Sequence, residues 1–331
     1  MKRFAGLLER LVYTGSRNEK LRLLQAHFAD APDPDRGFAV AAIARSLEVP
    51  SVTPAIVRGL VEERVDPVLF RLSYDYVGDL AETVSLIWPQ NATAADLRLS
   101  DVVTRLQQTP RRSIAPLLVE LLDSLPPSER FALLKLSMGG LRIGVSARLV
   151  KLALARYGNK DISQIEELWF GLQPPYRDLF AWLEGNAPAP EVKTQIMFRP
   201  AMLAHPLETE DQAKLQPGDF GVEWKWDGVR VQAVAFDGER RLYTRTGEDI
   251  GHSFPDIIAS MNWQGVVDGE LLVVRNGEVQ PFDRLQKRLG RKAPPAKLLA
   301  ENPAHIRAYD LLAVPGEDLR PLTFAERRAR L

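Results

Sequence analysis

The chain has 331 residues, 45% hydrophobic and 26% charged, with 43 basic and 43 acidic side chains balancing to zero. This length suggests about two domains with buried cores; the composition excludes general disorder, and the charge balance excludes a strongly basic whole-chain footprint, though not a local basic face. With no cysteine and only His27, His205, His252 and His305, disulfides, thiolate zinc sites, iron–sulfur clusters and cysteine nucleophiles are ruled out, and a helix-borne histidine metal site is not expected.

No apolar run of about 18 residues exists, so no membrane span is expected. The start Met1-Lys2-Arg3 looks like a leader only until Glu9 and Arg10 interrupt it. The segment then reads as an amphipathic helix of a soluble intracellular protein. Phe4, Leu7, Leu8, Leu11 and Val12 set the helical period, and Leu21, Leu23, Leu24 and His27 continue it. The prolines of 30–35 break it. Helices are predicted at 37–46, 53–63, 66–72, 76–87, 94–106, 113–123, 127–136, 146–157 and 161–170. Ser128 and Glu129 suit a helix start and Gly158 a helix end.

Asn186-Ala187-Pro188-Ala189-Pro190 reads as a linker, dividing a helical domain at 1–190 from a second at 191–331. Beyond it the pattern changes to short strands. Phe220 to Trp226, Val229 to Phe236, Val266 to Val274 and Ile306 to Val314 are predicted strands, with hairpin turns at Asp237-Gly238 and Asn276-Gly277. A short helix is expected from Asp283 to Leu289, and Thr323-Phe324-Ala325-Glu326 opens a last one as a capping box. That helix has barely begun at Leu331, so the chain is expected to be a fragment.

Two stretches carry chemistry. Between Phe131 and Lys160 lie Lys135, Arg142, Arg148, Lys151, Arg156 and Lys160 with no acidic residue among them. Inside sits Gly139-Gly140-Leu141-Arg142-Ile143-Gly144, followed by Ser146 as a possible helix cap. Glycines let backbone amides approach phosphate, and basic side chains release counterions from a nucleic-acid backbone. For the stretch alone, a solvated helix face beside a glycine turn is the simpler explanation. Sparse aromatics favour duplex backbone over stacked single strands.

The second is Glu223-Trp224-Lys225-Trp226-Asp227-Gly228-Val229-Arg230, which contains Lys-x-Asp-Gly-x-Arg. Apolar walls and nearby cations lower a lysine's pKa and free its amine as a nucleophile, and Arg230, after the Asp227-Gly228 turn, is suited to a phosphate or ribose oxygen. From these residues alone, a surface hairpin closed by a Lys225–Asp227 ion pair fits as well. Downstream stand Tyr243-Thr244-Arg245-Thr246-Gly247-Glu248, Val267-Asp268-Gly269-Glu270-Leu271 and Ala308-Tyr309-Asp310-Leu311-Leu312.

In this order and spacing the segments resemble the nucleotidyltransferase motifs of ATP-dependent DNA ligases, a series shared more loosely with RNA ligases and capping enzymes. Gly78-Asp79-Leu80-Ala81-Glu82 and Gly140-Leu141-Arg142-Ile143-Gly144 look like parts of the helical DNA-binding domain of the larger ligases, and Arg199 to Ala204 like the lead-in to their adenylation domain. The resemblance implies an all-helical DNA-binding domain followed by a truncated, α/β (α+β) adenylation domain of antiparallel sheets, ATP-grasp-like. It implies nick sealing in duplex DNA, with ATP and Mg2+ and a covalent lysyl-AMP on Lys225.

By the same resemblance Glu223 reads the adenine edge, Arg230 and Arg245 surround ribose and phosphates, Glu270 meets the ribose hydroxyls and Tyr309 stacks on adenine. Arg142, Arg148 and Lys151 contact DNA. Asp227, Asp268 and Asp310 are expected to be structural. The partner is nicked duplex DNA, bound by a monomer. The family's later metal-binding glutamate, phosphate-contacting lysines and OB-type domain cannot be placed after Tyr309, so the metal ligands stay unassigned and the activity of this chain is uncertain. Alternatives are an RNA ligase or capping-type enzyme, opposed by the long helical domain, and a non-catalytic duplex-binding relative. A NAD-dependent ligase is opposed by the absence of cysteine.

Overall fold

A computed structural model describes residues 1–49, 52–89, 95–139, 141, 143–192, 196–212, 214–216 and 218–331. The chain divides into two compact units, Met1–Glu191 and Val192–Leu331.

The first unit is helical: α1 (Lys2–Tyr13), α2 (Arg17–Asp30), α3 (Asp35–Ile43), α4 (Pro54–Glu62), α5 (Pro67–Val77), α6 (Leu80–Ile87), α7 (Leu99–Gln108), α8 (Ile114–Ser124), α9 (Pro127–Ser137), α10 (Ala147–Tyr157), α11 (Ile162–Trp169) and α12 (Arg177–Leu183). Side-chain caps explain many of the starts. Ser16, Thr53, Asp79 and Ser146 each accept a backbone N–H from three residues on, Asp66 takes two ahead of Pro67, and Asp161 with Gln164 forms a capping box. α9 starts at Pro127, where the predicted range 127–136 begins; Pro127 presets its own φ, and Ser128 and Glu129 fall in the first turn. The sequence reading did not predict α12.

Leu8, Leu11, Leu24, Phe28, Val40, Leu118, Val150 and Phe180 are among the fully buried centre of this unit. Two buried arginines bind its loops. Arg130 donates to the carbonyls of Leu122, Trp88 and Pro89. Arg36 pairs with both Asp33 and Glu184, which fixes the end of α12 to the start of α3.

The second unit holds α13 (Thr209–Gln212), β1 (Val229–Phe236), β2 (Glu239–Thr244), α14 (Pro255–Ser260), β3 (Gly265–Arg275), β4 (Glu278–Val279), α15 (Phe282–Gln286), α16 (Ala296–Glu301), β5 (Ala304–Val314), β6 (Glu317–Asp318) and α17 (Phe324–Arg330). The sheet is antiparallel in the order β2-β1-β3-β5-β6, with β4 paired to β3. Asp237-Gly238 and Asn276-Gly277 all take positive φ, as two-residue hairpin turns require, so both expected hairpins are present. The mixed architecture, helices followed by an antiparallel sheet, is the one read from the sequence.

The faces of this sheet differ. Val231, Ala233 and Ala235 point to a core built with Leu242, Phe254, Ile257, Leu271 and Leu285, beneath α14 and α15. The alternate residues Val234 and Phe236 join Val266, Leu312 and Ile196 on the other side. By strand alternation Arg230 and Gln232 share that second face. The strand expected from Phe220 to Trp226 is not formed. β1 enters the ladder only at Val229, opposite Leu271, because the turn at Asp227-Gly228 diverts the preceding chain. Among the described residues no helix is long and apolar enough to cross a membrane.

Candidate functional site

The site is built at one end of β1, β3 and β5. Register places Arg230 opposite Glu270, Gln232 opposite Asp268, and Arg307 opposite Glu270 on its other side. Asp268 and Glu270 therefore lie on one face of β3, each flanked by β1 and β5. Between Asp268 and Gly269 the pairing with β5 slips, from Asp310 to Ala308, and Tyr309 is the extra residue. Counted from Arg307, strand alternation places Tyr309 on the face of Asp268 and Glu270, and the bulge brings Asp310 opposite Asp268 as well. Gly269 makes the close approach possible: a Cβ there would lie 2.7 Å from the Arg307 carbonyl oxygen and 3.1 Å from Ala308 Cα.

Asp268 is the hub of the cluster. Its side chain is 2% exposed, and it takes Arg230 Nε at 3.0 Å and Nη2 at 2.7 Å. The third arginine nitrogen, Nη1, donates to the Met202 carbonyl at 2.8 Å, and the guanidinium carbon lies 5.8 Å from the Tyr309 ring centre. This bidentate pairing raises the Arg230 pKa further. Burial, with the adjacent Asp268 that its hydroxyl meets, pushes the Tyr309 phenol well above its usual value. Burial also raises the Glu270 carboxyl, opposed by Arg230, by a hydrogen bond from the Gly228 backbone and by Lys225. Gly228 is required there, since a Cβ would sit 2.4 Å from the Leu271 carbonyl oxygen.

Lys225 lies in the exposed segment before β1. The apolar wall expected on both sides exists on one only. Trp224 is 83% exposed, whereas Trp226 is half-buried beneath Arg307, whose guanidinium carbon is 4.4 Å from the ring centre. Glu223 makes an ion pair with Arg328 at 3.2 Å, and the same Arg328 Nη1 donates to the Tyr309 carbonyl at 2.7 Å.

Thus Arg230, Glu270 and Tyr309 come together with Lys225 nearby, and Glu223 joins through Arg328. Arg245 lies exposed in the turn after β2, and among the described residues no hydrogen bond or ion pair joins it to this cluster. Asp310 is bound at both oxygens by Arg327 of α17, at 2.8 and 2.9 Å. Sequence reasoning did not single out Arg307 or Arg328. Only the Arg327-Arg328 doublet following the capping box hinted at the second.

In the helical unit, Ser146 caps α10, and Arg148 in its first turn is exposed. Lys151 is turned inward, 13% exposed, with Nζ 3.4 Å from Glu166 and 5.9 Å from the Phe170 ring centre. Arg142 and Gly140 lie outside the described residues. The glycine segment that follows is fastened by Lys20 of α2, whose buried Nζ donates to the carbonyls of Ile143 and Gly144.

Residues 201–331 match the family profile described as ATP dependent DNA ligase domain. A "Probable DNA ligase" of Koribacter versatilis is 30% identical over 220 residues, covering 65% of this chain and 38% of that protein. A "DNA ligase" of Thermococcus fumicolans is 30% identical over 219 residues, covering 62% of this chain and 38% of its own length. Both shares exceed the second unit alone, so the likeness extends into the helical unit. This chain spans well under half the length of either relative. The solved structure named "Pmar-Lig_Pre." shares the fold, with a TM-score of 0.54 at 15% identity, over 99% of this chain and 61% of that one.

Proposed function

We propose that this chain, whose residues 201–331 match the ATP dependent DNA ligase domain profile, is a member of that ligase family and forms the DNA-binding and nucleotide-binding part of an enzyme that seals nicks in duplex DNA. The observation that carries this reading is the convergence of Arg230, Glu270 and Tyr309 around Asp268, beside the segment bearing Lys225.

In this reading ATP lies with adenine against the half-buried Tyr309 ring, its edge toward Glu223 and its ribose hydroxyls toward Glu270. Arg230 is held rigid by Asp268, so its charge faces the nucleotide without reorganisation. The neutral amine of Lys225 attacks the α-phosphorus. The nitrogen–phosphorus bond forms as the bond to the β-phosphate oxygen breaks, pyrophosphate leaves and the amine gives up a proton. A 5′-phosphate oxygen at the nick then displaces the lysine, and the 3′-hydroxyl displaces AMP to join the strands. Each step depends chiefly on positioning and charge neutralisation.

Among the described residues no three metal-ligating side chains gather. Magnesium bound to a triphosphate needs only one or two protein carboxylates and keeps several waters, so it can come with the nucleotide. The cation would supply charge neutralisation at the phosphates. The exposed Arg148 supports contact between the helical unit and the duplex backbone.

The test is intact mass after incubation with ATP and magnesium, alongside Lys225→Ala. A gain of one AMP that the variant lacks is expected, either in this chain or in a form extended to the length of its relatives. An extended form that gains no AMP overturns the reading.

A further inference from the structure

The segment that carries Lys225 has no ladder of its own and is largely exposed, with Val222 at 97% and Trp224 at 83%. Two arginines from elsewhere in the sheet unit nevertheless reach it, one on each side of the lysine. Arg328 contacts Glu223, and Arg307 covers Trp226. Both stand on fixed supports. Arg328 follows Arg327, whose two-point pair with Asp310 fastens α17 to β5. Arg307 lies within β5 in register with Glu270.

We propose that Arg307 and Arg328 are positioning residues that hold the Lys225 segment over the nucleotide site, an inference that rests on the adenylation reading above. Arg328 spans two candidate adenine contacts, because one nitrogen meets both the Glu223 carboxylate and the Tyr309 carbonyl. It fixes the group that reads the adenine edge relative to the ring that covers the adenine face. Arg307 acts on the lysine side of the segment. Its cation–π contact fixes Trp226, and with it the direction in which Lys225 leaves the backbone.

In-line attack demands that the amine be held close to the α-phosphorus, and an untethered segment of this length would spend little time there. The two arginines divide the work: Arg328 governs nucleotide affinity and base choice, and Arg307 governs the rate of transfer to lysine. Each contact is exposed and contributes little to global stability, so its removal leaves the fold intact.

Lys225 is itself a trypsin site, which gives a readout independent of ATP. Limited trypsin digestion of the full chain, followed by mass spectrometry, measures the first cut after Lys225. Arg307→Ala and Arg328→Ala should each speed that cut about three- to tenfold at unchanged melting temperature, as loss of a weak tether predicts. Arg307→Lys should restore part of the protection, because lysine keeps a cation over the ring. Arg330→Ala, which removes only the pair between this α17 residue and Glu317 of β6, should leave the rate unchanged.

With nucleotide, Arg328→Ala should raise the KM for ATP about three- to tenfold and narrow the preference for ATP over GTP. Arg307→Ala should lower the rate at saturating ATP instead. Parental cleavage rates in both alanine variants, or equal acceleration in Arg330→Ala, would overturn the tethers. Faster cleavage with unchanged nucleotide kinetics would overturn the positioning role. If the parent neither binds ATP nor gains AMP in any form, the functional reading fails, while the trypsin result still decides whether the tethers exist.

Discussion

Asp268 holds Arg230 through two hydrogen bonds on the face of the sheet that also receives Tyr309. A basic residue expected to serve nucleotide oxygens is thus first an internal partner, and its charge is presented by a carboxylate with almost no access to water. Removing Arg230 would strand that carboxylate. Arg230→Ala is expected to lower the stability of the sheet unit by about 3 kcal/mol, read as an earlier urea transition. The double change Arg230→Met with Asp268→Leu should cost clearly less, because no buried charge is left unpaired.

Tyr309 lies half-buried on the face of Asp268 and Arg230. Tyr309→Phe keeps the π face and should bind ATP within about twofold of the parent, whereas Tyr309→Ala should weaken binding about tenfold, as loss of one base-stacking contact does. Titration calorimetry measures both. Equal weakening in the two variants would make the hydroxyl, through Asp268, the important group.

Arg327 and Asp310 form the buried counterpart of the exposed Glu223–Arg328 contact. With side-chain exposures of 4% and 11%, they meet at two points and lock α17 against β5. Arg327→Leu should leave the Asp310 carboxylate uncompensated and cost about 3 kcal/mol. The end of the chain should then become sensitive to protease before the sheet melts.

His27 gives the helical unit an acid limit. In an unfolded chain its imidazole titrates near 6.5, while burial, aided by Arg3 and opposed by Asp30 and Asp35, lowers it to about 4 in the fold. Between those values the unfolded state takes up a proton that the folded state refuses, so stability falls as pH drops through this window, by at most about 3 kcal/mol. His27→Leu should flatten the pH dependence of the melting temperature between pH 6.5 and 4. An unchanged slope would assign the acid sensitivity to other groups.

Arg148 is exposed in the first turn of α10, while Lys151, three residues on, is occupied with Glu166. Arg148→Ala should weaken binding of nicked duplex at low salt and reduce the slope of log affinity against log salt by about one. Lys151→Ala should change that slope less. Filter binding across a salt series distinguishes them.

The sequence by itself determined the elements whose causes are local. Helix starts followed from capping side chains such as Ser146 and Thr323, hairpins followed from Asp-Gly and Asn-Gly, and the position of Lys225 followed from a motif of contiguous residues. α12 was missed because its first residue follows Tyr176, which takes a left-handed conformation with no side-chain cap to signal it. The tertiary structure decided what depends on register. The pairing of β5 with β3 set Tyr309 on the face that holds Arg230. The pairing of β1 with β3 brought Arg230 to Asp268, and arginines distant in sequence reach the segment that precedes the ladder at Val229. A one-residue shift between strands reverses every side chain, and no local pattern of residues specifies it.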